Sequence, residues 1–189
     1  MEKQIDILIV GAGISGIGVA AHLSKNSPQR SFEIIERRES FGGTWDLFKY
    51  PGIRSDSDMS TFGFNFKPWQ SSKVLADGAS IKGYVAEVVE EFKLKEKIRF
   101  NHRVRTANYN SSIKKWIVEV EDSSGKLNTW QANFVIGCTG YYNYDQGYQP
   151  DFPNKEALNG QFINPQFWPE NLDYTGKKVV IIGSGATAI

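Results

Sequence analysis

The residues best placed to do chemistry are three glycines, Gly11, Gly13 and Gly16, and one acid, Glu36. The glycines form a G-x-G-x-x-G loop directly after the apolar run at residues 5–10 and just before a helical pattern. In such a loop the first glycine allows a tight turn, the second admits a pyrophosphate, and the third lets the helix pack against the strand. The helix N-terminus offers free N–H groups to the phosphates. The pattern predicts a dinucleotide site.

Glu36 ends a second short apolar segment at residues 32–35 and follows Gly16 at the spacing, about 20 residues, that is typical of a ribose-binding acid. A carboxylate at the tip of the second strand suits hydrogen bonds to both ribose hydroxyls and disfavours a 2′-phosphate. We therefore expect the first loop to hold an adenosine diphosphate without that phosphate, and both FAD and NAD qualify.

Two helices are expected to support this loop. One follows Gly16, with Ile14, Ile17 and Ala21 on its apolar face, and ends near Pro28. The other, at residues 80–92, repeats apolar residues every three or four positions and carries glutamates on its wet face.

The middle of the chain is rich in β patterns. Trp116, Val118 and Val120 alternate with more polar neighbours, which indicates a strand with one apolar face. Residues 134–140 form an apolar strand that runs into a glycine turn. Strands are expected at residues 97–100, 104–109, 115–121 and 128–132. The predicted fold class is therefore α/β: a Rossmann-like domain with an inserted antiparallel β-meander.

A second glycine loop closes the chain. The apolar residues 178–182 predict a strand, and a G-x-G-x-x-G/A pattern follows in Gly183, Ser184, Gly185, Ala186, Thr187 and Ala188. We expect residues 1–140 to form the first nucleotide-binding domain, 141–176 a linker, and 177–189 the start of a truncated second one.

The run GGTWDLFKYPGIRSDSD at residues 42–58 resembles the flavin-dependent Baeyer–Villiger monooxygenases, in particular the subgroup of the ethionamide-activating and long-chain-alkane monooxygenases. The resemblance implies that FAD is contacted by Ser15, Glu36, Thr44, Trp45, Asp46, Leu47 and the backbone of Val104. It also implies that Arg54, Ser55 and Asp56 approach the flavin and NADP. Asp56 would tune an arginine beside the flavin, which makes it the candidate catalytic residue. In that family the second glycine loop opens the NADPH domain.

The family also has the fingerprint F-x-G-x-x-x-H-x-x-x-W-[PD], which residues 158–169 match in part. Gly160, Trp168 and Pro169 fit, whereas Leu158 replaces the phenylalanine and Asn164 replaces the histidine. Asparagine keeps hydrogen-bonding groups but takes no proton near neutral pH. A hinge role of this segment survives the change, and a role for imidazole does not.

The resemblance implies an enzyme in which NADPH reduces FAD and one oxygen atom of O2 enters a ketone or a long-chain substrate. A heteroatom-oxygenating flavin monooxygenase is an alternative that Asn164 leaves open. A third hypothesis is a non-catalytic FAD-binding remnant, because family members continue well beyond residue 189. We expect the 189-residue chain itself to be inactive.

Composition argues against several other classes. The 22 Lys and Arg residues are interspersed with 21 Asp and Glu, without a basic stripe, so no nucleic-acid partner is expected. One cysteine, Cys138, allows no disulfide within the chain and favours a cytoplasmic setting. Two histidines make a histidine-based metal centre unexpected. The uncharged residues 7–21 are too short to span a membrane, which takes roughly 20 residues. The oligomeric state is not predicted.

Overall fold

A computed structural model describes residues 2–185, 187 and 188. By its internal contacts the chain divides into two compact units. The first unit extends to Asp46, resumes at Ala79 and ends at Tyr141. The second unit comprises Leu47–Gly78 and the residues from Tyr142 onward. The glycine loop at residues 11–16 and Glu36 both belong to the first unit.

The first unit is built on one six-stranded mixed sheet in the order β3-β2-β1-β6-β5-β4. Its strands are β1 Glu2–Val10, β2 Phe32–Ile35, β3 Ile98–Arg99, β4 Arg103–Asn110, β5 Lys115–Glu121 and β6 Leu127–Gly137. The β3, β2, β1 and β6 strands are parallel, and β6, β5 and β4 pair antiparallel. The predicted α/β fold with a parallel nucleotide-binding sheet and a meander is confirmed.

The β6 strand corrects one detail of the prediction. Residues 128–132 and 134–140 were expected to form two strands, but they belong to a single strand that ends at Gly137. One edge of β6 pairs with β5, and the other pairs with β1 as far as Val10 opposite Gly137. The meander is therefore continuous with the parallel sheet rather than a separate insertion.

The structure contains α1 Ile14–Asn26, α2 Thr44–Leu47, α3 Met59–Phe62 and α4 Gly78–Glu91. The first predicted helix is confirmed, and it ends where the amide of Ser27 donates to the carbonyl of Leu23, one residue before Pro28. The second corresponds to α4, displaced by one or two residues, and buries its predicted apolar face, Ile81, Tyr84, Val85, Val88 and Val89. None of the helices among the described residues is long and apolar enough to cross a membrane.

A buried carboxylate connects four strands of the first unit by hydrogen bonds. Glu33 on β2 accepts hydrogen bonds from Lys3 Nζ at 2.6 Å, Arg99 Nη2 at 2.6 Å and Trp130 Nε1 at 3.0 Å. Burial acts to raise the pKa of Glu33, but these hydrogen bonds outweigh it, and the pKa lies below its ordinary value. The donors come from β1, β3 and β6, so one ionised side chain connects the sheet from β3 to β6.

The apolar segment at residues 178–182 is not a strand, contrary to the prediction. The side chains of Val179, Val180, Ile181 and Ile182 are 62–84% exposed. A parallel strand forms only where a neighbour completes its hydrogen bonds. Within residues 2–185, 187 and 188 no strand pairs with this segment.

Candidate functional site

The glycine loop begins where three parallel strands end. The amide of Gly11 donates to the carbonyl of Ile35 at the end of β2, at 2.8 Å. On the other side the amide of Cys138, just past β6, donates to the carbonyl of Val10, also at 2.8 Å. Ligands of open α/β sheets bind in the crevice at the carboxyl ends of the strands. The loop therefore lies at the edge of the sheet where the fold class places a nucleotide.

Close packing explains the glycines at positions 11 and 16. A Cβ on Gly11 would lie 2.4 Å from the carbonyl oxygen of Cys138, and Gly11 has a φ of +105°. A Cβ on Gly16 would lie 1.9 Å from the carbonyl oxygen of Gly11. Both positions exclude any side chain, because the opposing atoms belong to the backbone and cannot rotate away.

Gly13 is different, because the fold leaves room for a side chain there. A Cβ on Gly13 would meet only the Cα of Gly43, at an ordinary contact distance of 3.6 Å, and the φ of Gly13 is −74°. Gly13 is also the N-cap of α1, where serine, threonine or aspartate would satisfy an amide of the first turn. The bare backbone at Gly13 and the exposed Ser15 in the first turn leave this helix N-terminus accessible to a ligand.

Glu36 contacts the same loop directly. It is buried, its Oε2 accepts a 2.7 Å hydrogen bond from the amide of Ala12, and its Oε1 accepts a 2.9 Å hydrogen bond from the amide of Arg38. A carboxylate has about four acceptor positions, so capacity remains for a ribose hydroxyl. The sequence spacing predicts that Glu36 binds a ribose, but it gave no signal that Glu36 also holds the glycine loop.

A turn at Gly42 and Gly43 also packs on the glycine loop. The amide of Gly42 donates to the carbonyl of Ala12 at 2.9 Å, and both glycines have positive φ. The one-turn helix α2 follows, with Thr44 and Trp45 half-buried. Two segments predicted to contact one cofactor are thus adjacent in the first unit.

Asp46, predicted to contact the cofactor, forms ion pairs with two cations of the protein. Its buried carboxylate pairs with Arg38 Nη2 at 2.7 Å and with Lys82 Nζ on α4. Lys82 belongs to no motif, and its sequence position gave no signal of this contact. Leu47, also predicted to contact FAD, is half-buried and is the first residue of the second unit.

The residues around Arg54 lie in the second unit. Arg54 pairs with Asp77 in an antiparallel β-bridge. Ser55 is buried and donates its hydroxyl to the carbonyl of Ser57 at 2.7 Å, so its side chain holds a turn. The Arg54 and Asp56 side chains are exposed.

Val104 was predicted to offer its backbone to an adenine. It pairs with Val120 across β4 and β5, and its side chain packs on the core cluster beneath the meander. It lies two residues beyond His102, whose amide donates to the carbonyl of Glu36 at 3.0 Å. Val104 therefore follows closely on a residue that is hydrogen-bonded to Glu36, and its contact with an adenine stays a prediction.

The second glycine loop has a different local structure from the first. Gly183 has a φ of +150°, and the amide of Ala188 donates to the carbonyl of Gly185 at 2.8 Å. Ser184 and Thr187 are exposed, and Ala186 lies outside the described residues. The described part of this loop forms a turn, without a helix to present its N-terminus to a phosphate.

Asn164, in place of the fingerprint histidine, has a structural role in the second unit. Its Oδ1 accepts from the amide of Gln166 at 3.0 Å and so caps the 3-10 turn Pro165–Phe167. Its Nδ2 donates to the carbonyl of Tyr148 at 2.9 Å, and a side chain on Gly147 would collide with it. Asn164 therefore links the segment around Tyr148 to the fingerprint segment, residues 158–169, by hydrogen bonds.

Cys138, the single cysteine of the chain, lies just past the end of β6. It is free and half-buried, and burial raises the pKa of its thiol. A protonated thiol is a poor nucleophile.

Among the described residues there is no group of three His, Cys, Asp or Glu side chains that could hold a metal ion.

Comparison with known proteins finds FAD-containing relatives along the whole chain. Residues 9–76 match the NAD(P)-binding Rossmann-like domain. Over all 189 residues the chain is 77% identical to the probable FAD-binding monooxygenase AlmA of Acinetobacter baylyi and 54% identical to the FAD-containing monooxygenase EthA of Mycolicibacterium smegmatis. The chain spans 38% of the length of each of these two relatives.

Among solved structures, an oxidised steroid monooxygenase bound to NADP superposes with a TM-score of 0.81 at 27% identity, over 97% of this chain and 35% of that protein. The chain thus has monooxygenase relatives along its whole length. It contains the glycine loop, the acid at the end of β2 and the Gly-Gly-Thr-Trp turn. Over all of its 189 residues the chain is similar to FAD-containing monooxygenases, and its fold is similar to that of a steroid monooxygenase.

Proposed function

We propose that this chain forms the FAD-binding part of an FAD- and NADPH-dependent monooxygenase that transfers one oxygen atom of O2 to a ketone or a long-chain substrate. The observation that carries the proposal is Gly13. Its backbone conformation and surroundings accept a side chain, yet the position is bare and lies at the N-terminus of α1. A glycine that the fold does not need is accounted for by a ligand that must approach the backbone.

The residues of the first unit fit FAD. The amides at the start of α1 would hold the pyrophosphate, and Glu36 would use its remaining acceptor positions for the ribose. Thr44 and Trp45, adjacent to the glycine loop, would contact the same cofactor. FAD, once bound and reduced by NADPH, supplies the oxygen chemistry, and the protein positions the reactants and excludes water.

We assign a second set of residues to the nicotinamide side by family resemblance. Arg54 and Asp56 have exposed side chains. Asp56 would interact with the guanidinium group of an arginine that another part of the enzyme supplies. Ser184, Gly185 and Thr187 would begin the NADPH site, within a domain that we propose starts near residue 177. The longer relatives have the additional length that such a domain requires.

A heteroatom-oxygenating flavin monooxygenase is the second candidate. The observation that favours it is Asn164, which stands where the fingerprint has a histidine and has both amide groups engaged by the protein. A ketone substrate and a soft heteroatom such as sulfur would be distinguished by the product formed in the complete enzyme.

The proposal is tested by titrating the 189-residue chain with FAD and following the quenching of flavin fluorescence. We expect Gly13→Ala to retain the melting temperature, since the new methyl group meets only the Cα of Gly43 at 3.6 Å. We expect it to bind FAD at least about tenfold more weakly, because the methyl group occupies the space of the pyrophosphate. Gly83→Ala, on an open face of α4, is the matched control. Equal FAD affinity of wild type and Gly13→Ala would reject the proposal.

The same preparation shows whether this chain turns over by itself. We expect FAD-loaded protein to oxidise NADPH no faster than free flavin does. The reason is that residues 178–185, 187 and 188 form neither the strand nor the helix of an NADPH site. Sustained NADPH consumption that depends on bound FAD would contradict this expectation.

A further inference from the structure

We propose that Asp46 is a positioning residue which holds the Gly42–Gly43 turn against the glycine loop, and that Lys82, outside every motif, is required for this. The inference rests on the proposed function, because its outcome for the enzyme is retention of FAD. It gives Asp46 a role in addition to the cofactor contact that the family resemblance implies.

The first argument is burial. Asp46 is only 5% exposed, and its carboxylate has both Arg38 and Lys82 as ionic partners. A charge out of water is tolerated when it is paired and is strongly unfavourable when it is not. Removal of Lys82 takes away one of the two cations that compensate this buried charge, and so it weakens the hold on Asp46 and on the turn that carries it.

The second argument is the position of Asp46 within the turn. A Cβ on Gly42 would lie 3.1 Å from the Cβ of Asp46 and 3.6 Å from the Cγ of Lys82. The amide of Asp46 donates to the carbonyl of Gly43 at 3.1 Å, and Arg38 Nη1 lies 3.5 Å from the same oxygen. The ion cluster is therefore in contact with the turn that it would hold.

The third argument is the connection to the ligand-binding loop. Gly42 donates to the carbonyl of Ala12, and Gly43 lies next to Gly13. A displacement of the turn would remove the hydrogen bond to Ala12 and one wall of the space above Gly13. The turn that carries the cluster thus contacts the glycine loop at two places.

Charge makes the arrangement compatible with a pyrophosphate. An unpaired carboxylate this close to the glycine loop would repel the phosphates. Because Arg38 and Lys82 both pair with Asp46, the negative charge of this carboxylate is compensated.

The experiment measures hydrogen exchange in the 189-residue chain without added cofactor and FAD affinity in the same chain. We expect Lys82→Met to raise exchange at the amides of Gly42, Trp45 and Asp46 by roughly tenfold or more, while the amides of Leu8 and Ile9 in the core strand keep their rates. Lys82→Arg, which keeps the charge, should restore protection. Lys95→Met, at an exposed lysine outside this cluster, is the control.

For FAD, we expect Lys82→Met to weaken binding by roughly tenfold and Asp46→Asn/Lys82→Met to weaken it by less than the two single changes combined. Unchanged exchange at Gly42 and Asp46 in Lys82→Met overturns the inference, whatever the cofactor does. If the wild type binds no FAD, the proposed function fails, and the exchange data alone decide whether the cluster holds the turn. Wild-type binding with equal affinity in Lys82→Met rejects the positioning role.

Discussion

The amide of Ala12, in the glycine loop, donates a 2.7 Å hydrogen bond to Oε2 of Glu36 at the end of the neighbouring strand. The acid that the spacing assigns to a ribose is therefore also a structural part of the loop that would bind the pyrophosphate. A change at Glu36 therefore alters the shape of the loop as well as the predicted contact with a ribose.

Glu36→Gln should lower both stability and FAD affinity. The two oxygens of Glu36 accept from two backbone amides, and glutamine presents a donor to one of them. We expect the free energy of unfolding to fall by roughly 1–3 kcal/mol, the cost of an unsatisfied buried donor. Urea denaturation measures it, with Glu39→Gln at an exposed neighbouring acid as the control. Full stability in Glu36→Gln would show that the hydrogen bond from Ala12 contributes little.

The glycines at 16 and 83 should respond in opposite directions to alanine. Gly16→Ala would place a methyl group 1.9 Å from the carbonyl oxygen of Gly11, and we expect a loss of about 3 kcal/mol or more. Gly83→Ala has nothing within 4 Å and lies inside α4, so we expect a gain of roughly 0.5–1 kcal/mol. Thermal and urea denaturation of the two variants measure both effects. A stable Gly16→Ala protein would contradict the packing of α1 on the loop.

Glu33 should make stability depend on pH on the acid side. The pKa of Glu33 in the folded state lies below its ordinary value of 4.5, so its contribution is present above about that pH. The contribution is lost as the pH falls through the folded-state pKa. We expect Glu33→Gln to lower stability at pH 7 by about 1–3 kcal/mol, and this deficit to shrink as the pH falls below 4.5. Denaturation curves across this range, with Glu90→Gln on the surface of α4 as control, test the expectation. A pH-independent deficit would mean that the side chain matters only through its shape.

Asn164 should act as a cap in the second unit. Asn164→Asp keeps the oxygen that accepts from the amide of Gln166, whereas Asn164→Ala loses it. We expect hydrogen exchange at Gln166 to rise only in the alanine variant, by an amount equivalent to roughly 0.5–2 kcal/mol for a lost cap. Asn164→Asp should instead release the segment at Tyr148, because it has no donor for that carbonyl. Exchange that rises equally at Gln166 in both variants would refute the assignment.

Local patterns predicted much of the nucleotide-binding half of the fold. The glycine spacing located the loop and α1, and alternation at Trp116, Val118 and Val120 located β5, because both signals are set by residues close together in the chain. The sequence predicted two strands, at residues 128–132 and 134–140, where the structure has the single strand β6. The strand continues because β1 supplies hydrogen bonds there, and the Asn133 side chain donates to Asp6.

The remaining contacts depend on tertiary structure and leave no sequence signal. Asp46 and Lys82 are 36 positions apart, so only the packing of α4 beside the turn makes them partners. Residues 178–182 show the opposite case, an apolar pattern without a strand. Their sequence favours β-structure, but β-structure requires a neighbour, which the described residues do not provide.

The place of β6 beside β1 has a consequence for synthesis on the ribosome. The two strands pair across a separation in sequence of 127 residues, as in the contact of Asp6 with Asn133. At roughly 5–20 residues per second, β1 would wait about 6–25 s for its second partner to be made. Throughout that interval one edge of an apolar strand is open to other chains. We therefore expect the nascent chain to need a chaperone until Gly137 has emerged, and to aggregate when translation pauses before that point.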